Sequence, residues 1–133
     1  MEAQISWRTD MVFEGTNATH PLVMDGNRKL GQSPMQLVLY ALGGCTSVDV
    51  VEILKKRRKT IEKLDIRMTG QRRQEKYPRI FENIHMHFDL TSPDARDSDM
   101  EKAIALSLGT YCSVAGMLTA VNITTSFSIT VPS

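Results

Sequence analysis

The stretch from Ser33 to Leu54 constrains the fold of this chain more than any other part of the sequence. Ser33 is a favourable N-cap, Pro34 suits the first position of a helix, and Gln36 completes a capping box with the serine. Residues 35–42 are apolar on nearly every face, which is typical of a helix buried on all sides. The pattern therefore predicts one long helix whose first half lies in a core.

Two glycines and a cysteine stand near the middle of this helix. Gly43 and Gly44 each cost about 1 kcal/mol relative to alanine in a helix interior, so we expect a close approach by another backbone, such as a crossing helix. Cys45 follows and places a thiol at the centre of the buried helix. The basic run 55–59 suits the negative end of the helix dipole, and we interpret it as a solvated helix end.

Composition limits the classes of protein that the chain can belong to. The chain has 133 residues and a formal net charge of +1, which favours a single domain over residues 1–133 and gives no general attraction to nucleic acid. Residues 1–15 contain four charged side chains and no apolar segment, so no signal peptide is expected. The apolar run 35–42 is too short to span a bilayer. We therefore expect a cytoplasmic protein that binds neither membranes nor nucleic acid.

Hydrophobic periodicity predicts the order β-β-β-α-β-β-α-α-β, an α+β domain. The two long strands 63–68 and 80–90 alternate between apolar and polar residues, which is typical of antiparallel sheet with one wet face. The predicted strands cover residues 3–8, 11–13, 22–24, 63–68, 80–90 and 123–131.

Capping residues define the two shorter helices. Ser98 and Glu101 form a second capping box, and Gly109 suits the position just after that helix. Thr110 is expected to cap a short third helix, with Cys112 in its first turn. A helix N-terminus favours a thiolate, so this placement predicts a lowered pKa for Cys112.

Cys45 and Cys112 are the only cysteines, and their positions leave two interpretations open. They are small buried side chains, as free cysteines commonly are, or they form a redox pair. A pair needs Cα atoms within about 7 Å of each other. The two glycines before Cys45 would allow the segment around Cys112 to come that close.

Three segments of the sequence resemble the OsmC/Ohr family, and among its members the YhfA-type proteins most of all. They are Ser33–Pro34–Met35–Gln36, Ala41–Leu42–Gly43–Gly44–Cys45–Thr46 and Tyr111–Cys112–Ser113–Val114, and the resemblance extends over the whole chain. It implies an OsmC-like fold, in which an intertwined homodimer holds two long central helices between two antiparallel sheets. It also implies a thiol peroxidase for organic hydroperoxides, with Cys45 as the peroxidatic cysteine and Cys112 as the resolving one.

The chemistry implied by this resemblance uses thiols alone. The Cys45 thiolate attacks the peroxide and becomes a sulfenic acid, which Cys112 converts into a disulfide. An external dithiol, a lipoyl group in some members, reduces the disulfide. No metal, haem or flavin is implied, and the apolar helices would line a pocket for the alkyl part of the substrate.

The sequence departs from the family pattern near the proposed thiolate. Members generally hold an arginine there through a glutamate at the start of the central helix, whereas this chain has Gln36. Arg28 is the candidate for the arginine. Asp49, one turn after Cys45, is unusual on a buried helix, and we expect it to be paired at the dimer interface.

Other functions remain open at this stage. One is a non-catalytic protein of the same fold that binds an apolar or electrophilic ligand at the dimer interface, or that acts as a slow redox sensor. His85 and His87 lie two residues apart on one predicted strand and are of the type that binds metals. We interpret them as part of the solvated face of the sheet.

Overall fold

The computed structural model describes residues 1–17 and 19–133. Its contacts divide the chain into two units, Met1–Val38 and Leu39–Ser133. The expectation of a single domain stays a prediction. The α+β class is confirmed, because two three-stranded sheets accompany one long helix.

The first unit contains an antiparallel sheet of three short strands in the order β1-β2-β3. They are β1 (Ile5–Thr9), β2 (Val12–Gly15) and β3 (Leu22–Asp25). The predicted strands are present, but the expected half-burial of the first one is wrong for the single chain. The side chains of Ile5 and Trp7 are 51% and 65% exposed.

The long helix α1 spans Pro34–Lys56, as the sequence predicted. Its N-terminus is capped by Ser33, whose Oγ accepts a hydrogen bond from Gln36 N at 3.2 Å. The expected burial of its first half is wrong, since Leu42 alone is buried among the described residues 35–42. Apolar side chains on this helix therefore remain exposed, including those of Tyr40 and Val48.

By length and composition alone, α1 is also long and apolar enough to cross a membrane, contrary to the expectation drawn from residues 35–42. This finding is weak, because a core helix of a soluble protein meets the same criteria.

The second unit contains a sheet in the order β4-β5-β6. Its strands are β4 (Lys63–Arg72), β5 (Phe81–Thr91) and β6 (Asn122–Thr130). Strands β4 and β5 are antiparallel, but β6 runs parallel to β5, so the expectation of a purely antiparallel sheet is wrong here. The cause is the link between β5 and β6, because a helical connection returns the chain to the starting end of the sheet.

One face of this sheet forms a core. The side chains of Ile84, Met86, Phe88 and Leu90 alternate along β5 and are at most 1% exposed. Leu42, Val50 and Leu54 of α1 are fully buried as well. Burial on this scale supplies about 1.5–3 kcal/mol for each large apolar side chain.

The helical connection starts with α2 (Asp97–Leu106), and its predicted cap is wrong. Arg96 rather than Ser98 is the N-cap residue. Buried Asp99 decides this position, since its Oδ2 accepts a hydrogen bond from Arg96 N at 2.8 Å. Its Oδ1 accepts another from Arg57 Nε at 2.7 Å. Glu101 is exposed and lies beyond this cap.

The end of α2 also differs from the prediction. Gly109 does not terminate the helix, because a π-helical turn continues it over Ser107–Tyr111. Thr110 lies inside that turn and does not cap the next helix. Cys112 is itself the N-cap of α3 (Ser113–Met117), one position before the first turn expected from sequence.

Candidate redox site

Cys45 lies half-buried in the middle of α1. Among the described residues of the single chain, no crossing backbone contacts either of the two glycines before it, and a crossing helix from a second copy stays a prediction. A Cβ on Gly43 would lie 2.6 Å from Sδ and Cε of Met68 on β4. Gly43 thus makes room for a methionine side chain, while a Cβ on Gly44 would have nothing within 4 Å.

Cys112 reaches the site through the π-helical turn. Its N–H donates to the carbonyl oxygen of Ser107, five residues earlier, at 2.7 Å. Its side chain is 5% exposed. The sulfur accepts hydrogen bonds from Ala115 N at 3.4 Å and from Thr46 Oγ1 at 3.6 Å. Since Thr46 follows Cys45 and is fully buried, α1 contacts Cys112 directly beside the other thiol.

The surroundings of Cys112 raise its pKa from the ordinary thiol value. Burial is the main cause, because it disfavours the charged thiolate. The Ala115 N–H and the Thr46 hydroxyl lower the pKa, whereas the neighbouring Cys45 thiol raises it through hydrogen bonding and charge. The pKa that the helix N-terminus was expected to lower is therefore raised. Both cysteines are free thiols, and Cys45 is close enough to act on Cys112.

Asp49 is paired within its own chain, and its expected place at a dimer interface stays a prediction. Its Oδ2 accepts a hydrogen bond from Ser107 Oγ at 2.7 Å, and the Ser107 side chain is fully buried. This contact joins α1 to the turn that carries Cys112.

Sequence reasoning missed Thr46 and Ser107 as members of the site. The available signal was a hydroxyl residue where burial was expected. Thr46 stands beside a cysteine on an apolar helix, and Ser107 stands among apolar residues just after α2. A hydroxyl in such a place needs a hydrogen-bond partner, and here the partners are Cys112 and Asp49.

A cavity of about 350 Å³ begins one turn after Cys45. It carries charges of both signs besides apolar surface, and neither cysteine is among its lining residues, so the expected pocket for the alkyl part of the substrate stays a prediction. Its lining residues are Asp49, Glu52, Ile53, Lys56, Arg57, Lys102, Leu106 and Tyr111.

Arg28, the candidate for the arginine beside the thiolate, and Gln36, which stands in place of the family's glutamate, lie in the other unit. Arg28 follows β3 with a positive φ of 57°, and Gln36 occupies the first turn of α1. Both belong to the unit Met1–Val38, whereas Cys45 belongs to Leu39–Ser133. The role of Arg28 stays a prediction.

His85 and His87 lie on the outer face of β5 and bind neighbouring side chains. His85 contacts Ser126 Oγ at 2.8 Å, His87 contacts the same oxygen at 2.7 Å, and His87 also contacts Asp89 at 3.0 Å. No group of three or more His, Cys, Asp or Glu side chains in residues 1–17 and 19–133 is arranged to hold a metal ion. These contacts fit the interpretation as a polar sheet face.

Comparisons with known proteins agree on one family. A family profile described as OsmC-like protein matches residues 25–126. The protein YhfA of Escherichia coli K12 is 42% identical over 97% of this chain and 98% of its own length.

Two solved structures share the fold. An OsmC-like protein from Mycoplasma pneumoniae superposes with a TM-score of 0.84 at 16% identity, over 96% of this chain and 95% of the other. The organic hydroperoxide resistance protein OhrB of Bacillus subtilis superposes with a TM-score of 0.66 at 10% identity, over 96% and 98%. These structures show that the fold is OsmC-like.

Proposed function

The chain belongs to the OsmC-like protein family, and from this premise we propose that it is a thiol-dependent peroxidase that reduces organic hydroperoxides. The observation that carries the proposal is the placement of half-buried Cys45 beside buried Cys112. The likeness to OhrB, an organic hydroperoxide resistance protein, supports the choice of substrate class. The name YhfA states no activity, so the reaction rests on the two thiols.

The different burial of the two thiols supports different roles. Cys45 is the more accessible, and its thiolate attacks one peroxide oxygen. The O–O bond breaks, an alcohol leaves after taking up a proton, and Cys45 becomes a sulfenic acid. Cys112, whose pKa is raised, keeps its proton during this step and so does not compete for the peroxide.

The second half of the cycle joins the two sulfurs. The Cys112 sulfur attacks the Cys45 sulfur, water leaves, and a disulfide forms. The Thr46 hydroxyl and the Ala115 N–H donate to the Cys112 sulfur and stabilise the negative charge that develops during its attack. An external dithiol then reduces the disulfide by exchange and is itself oxidised to a disulfide.

The proposal includes a cytoplasmic homodimer. Large apolar side chains exposed on the single chain, among them Trp7, Tyr40 and Val48, are the surfaces that a second copy would cover. Burying such side chains supplies about 25 cal/mol per Å². A partner at α1 would also enclose the substrate near Cys45.

Stopped-flow oxidation of the reduced protein by cumene hydroperoxide tests the proposal. Oxidation should be much faster than that of a free thiol, should disappear in Cys45→Ser, and should stop at a sulfenic acid in Cys112→Ser. Mass spectrometry of the wild-type product should find a Cys45–Cys112 disulfide. Oxidation no faster than that of a free thiol would contradict the peroxidase and favour the non-catalytic, ligand-binding alternative.

A further inference from the structure

Ser107 ties together the two helical segments that carry the thiols. Its fully buried side chain donates to Asp49 Oδ2 on α1 at 2.7 Å. Its carbonyl oxygen accepts the Cys112 N–H, also at 2.7 Å. One residue thus connects the long helix through its side chain and the resolving cysteine through its main chain.

Asp49 lies four residues after Cys45 on α1, so both side chains project from the same face of the helix at successive turns. Along the other segment, Ser107 and Cys112 mark the start of the π-helical turn and the residue after its end. Asp49 contacts Ser107, and Thr46, the residue after Cys45, donates to the Cys112 sulfur at 3.6 Å. The two segments therefore meet at two points, one of which lies beside the thiols.

The π-helical turn needs such an anchor. In an α-helix the N–H of residue 112 would donate to the carbonyl of residue 108, whereas here it donates to residue 107. The wider turn inserts one extra residue, and it rotates the residues that follow, beginning with Cys112, relative to α2. Single π-helical turns are rare and are frequent at functional sites, where the surrounding structure holds them in place.

From this geometry we propose that the Asp49–Ser107 hydrogen bond positions Cys112 for disulfide formation with Cys45, which makes Asp49 and Ser107 positioning residues. The inference rests on the proposed thiol chemistry of the pair. Without the hydrogen bond, a buried Ser107 hydroxyl loses its acceptor, and the turn is free to relax toward an α-helix. The Cys112 sulfur then moves relative to Cys45, and the disulfide becomes easier to reduce.

Equilibration of the Cys45–Cys112 disulfide with a dithiothreitol redox buffer tests the proposal without any peroxide. We expect Ser107→Ala and Asp49→Ala to shift the equilibrium toward the dithiol at least tenfold, a change of about 30 mV for a two-electron couple. Asp49→Asn keeps an acceptor oxygen and should restore most of the wild-type value.

Ser92→Ala is the matched control. Ser92 is also a fully buried serine with hydrogen bonds, to Asp94 and Ala95, but its bonds do not involve the thiol segments. It should lower the unfolding free energy and leave the thiol equilibrium within about twofold of wild type. Equal shifts in Ser92→Ala and Ser107→Ala, no shift in Ser107→Ala and Asp49→Ala, or no disulfide in the wild type would overturn the proposal.

The peroxide reaction then separates this inference from the proposed function. Ser107→Ala should form the Cys45 sulfenic acid at the wild-type rate and slow its conversion to the disulfide at least tenfold. If peroxide oxidation is slow in every variant while the equilibrium still shifts as expected, the peroxidase proposal fails and the positioning role stands.

Discussion

Single residues around the buried Cys112 sulfur control its protonation. Burial raises its pKa, and the Ala115 N–H and Thr46 hydroxyl partly offset that effect. A thiol in this balance stays protonated near neutral pH and gains stabilisation only as negative charge develops on it. That behaviour suits a cysteine that reacts second.

The raised pKa predicts a slow and strongly pH-dependent reaction with iodoacetamide. In Cys45→Ser, the alkylation of Cys112 should have its midpoint above the ordinary thiol pKa of about 8.5, since burial is the largest cause of the shift. The same variant unfolded in urea is the control and should titrate at the ordinary value. A folded midpoint at or below the urea value would contradict the burial argument.

The same shift predicts how stability depends on pH. The folded thiol keeps its proton to higher pH than the unfolded thiol, so its contribution is complete below about pH 8.5 and is lost as the pH rises toward the folded pKa. Above that pH, the unfolding free energy of reduced wild type should therefore fall relative to that of Cys112→Ser. Urea titrations at pH 7.5 and about pH 10 measure it, and a difference independent of pH would count against the shift.

Elements meet at Asp99, where the end of α1 joins the start of α2. The carboxylate accepts hydrogen bonds from Arg96 N and Arg57 Nε, and Lys59 Nζ lies 3.7 Å away. The Arg96 N–H is the main cause that holds the pKa of Asp99 below its usual value, with Arg57 and Lys59 adding to it. This residue, rather than the residues with the best capping preferences, decides where α2 begins.

Asp99→Ala should lower the free energy of unfolding by about 2 kcal/mol, the typical value of hydrogen bonds to a charged group. Because the folded pKa is lowered, the contribution is present above the unfolded carboxyl pKa of about 3.9 and is lost as the pH falls through the lower folded pKa. Urea unfolding should show a larger difference at pH 7 than at pH 3. Asp97→Ala, at an exposed position of the same turn, is the control and should have a much smaller effect.

Strand β4 packs closely against β5 at a glycine. A Cβ on Gly70 would lie 2.5 Å from Cε1 of buried Phe81, so Gly70→Ala should destabilise by about 1–3 kcal/mol through overpacking. Gly116→Ala is the matched control, because nothing lies within 4 Å of its added Cβ and the position is helical. It should be neutral or stabilise by up to about 1 kcal/mol. Thermal unfolding of both variants tests this contrast. Equal effects of Gly70→Ala and Gly116→Ala on stability would refute it.

For the whole molecule, the exposed apolar surface of α1 leads to a prediction about assembly. Sedimentation equilibrium should find two copies of the 14.9 kDa chain. Val48, 58% exposed in the single chain, would lie in the interface, so Val48→Lys should shift the protein toward 14.9 kDa. Val131→Lys changes a valine that is 68% exposed and should leave the dimer intact. A monomeric wild type would refute the proposed assembly.

Local sequence patterns determined the order of the elements, the bounds of α1 and the two cysteines as the candidate pair. Alternation and capping depend on residues a few positions apart, so they can be recognised without a structure. The same is true of the three motifs that resemble the OsmC/Ohr family, and the family matches confirm that resemblance.

Only the tertiary structure decided the parallel direction of β6, the Arg96 cap of α2, the π-helical turn and the raised pKa of Cys112. Each depends on contacts between residues far apart in the chain. From local sequence, Cys112 could be interpreted as a thiol at a helix N-terminus with a lowered pKa. Burial against α1 raises this pKa by more than the helix N-terminus lowers it. Asp49 was expected from the sequence to be paired, but only the structure identified its hydrogen-bond donor as Ser107, 58 residues later.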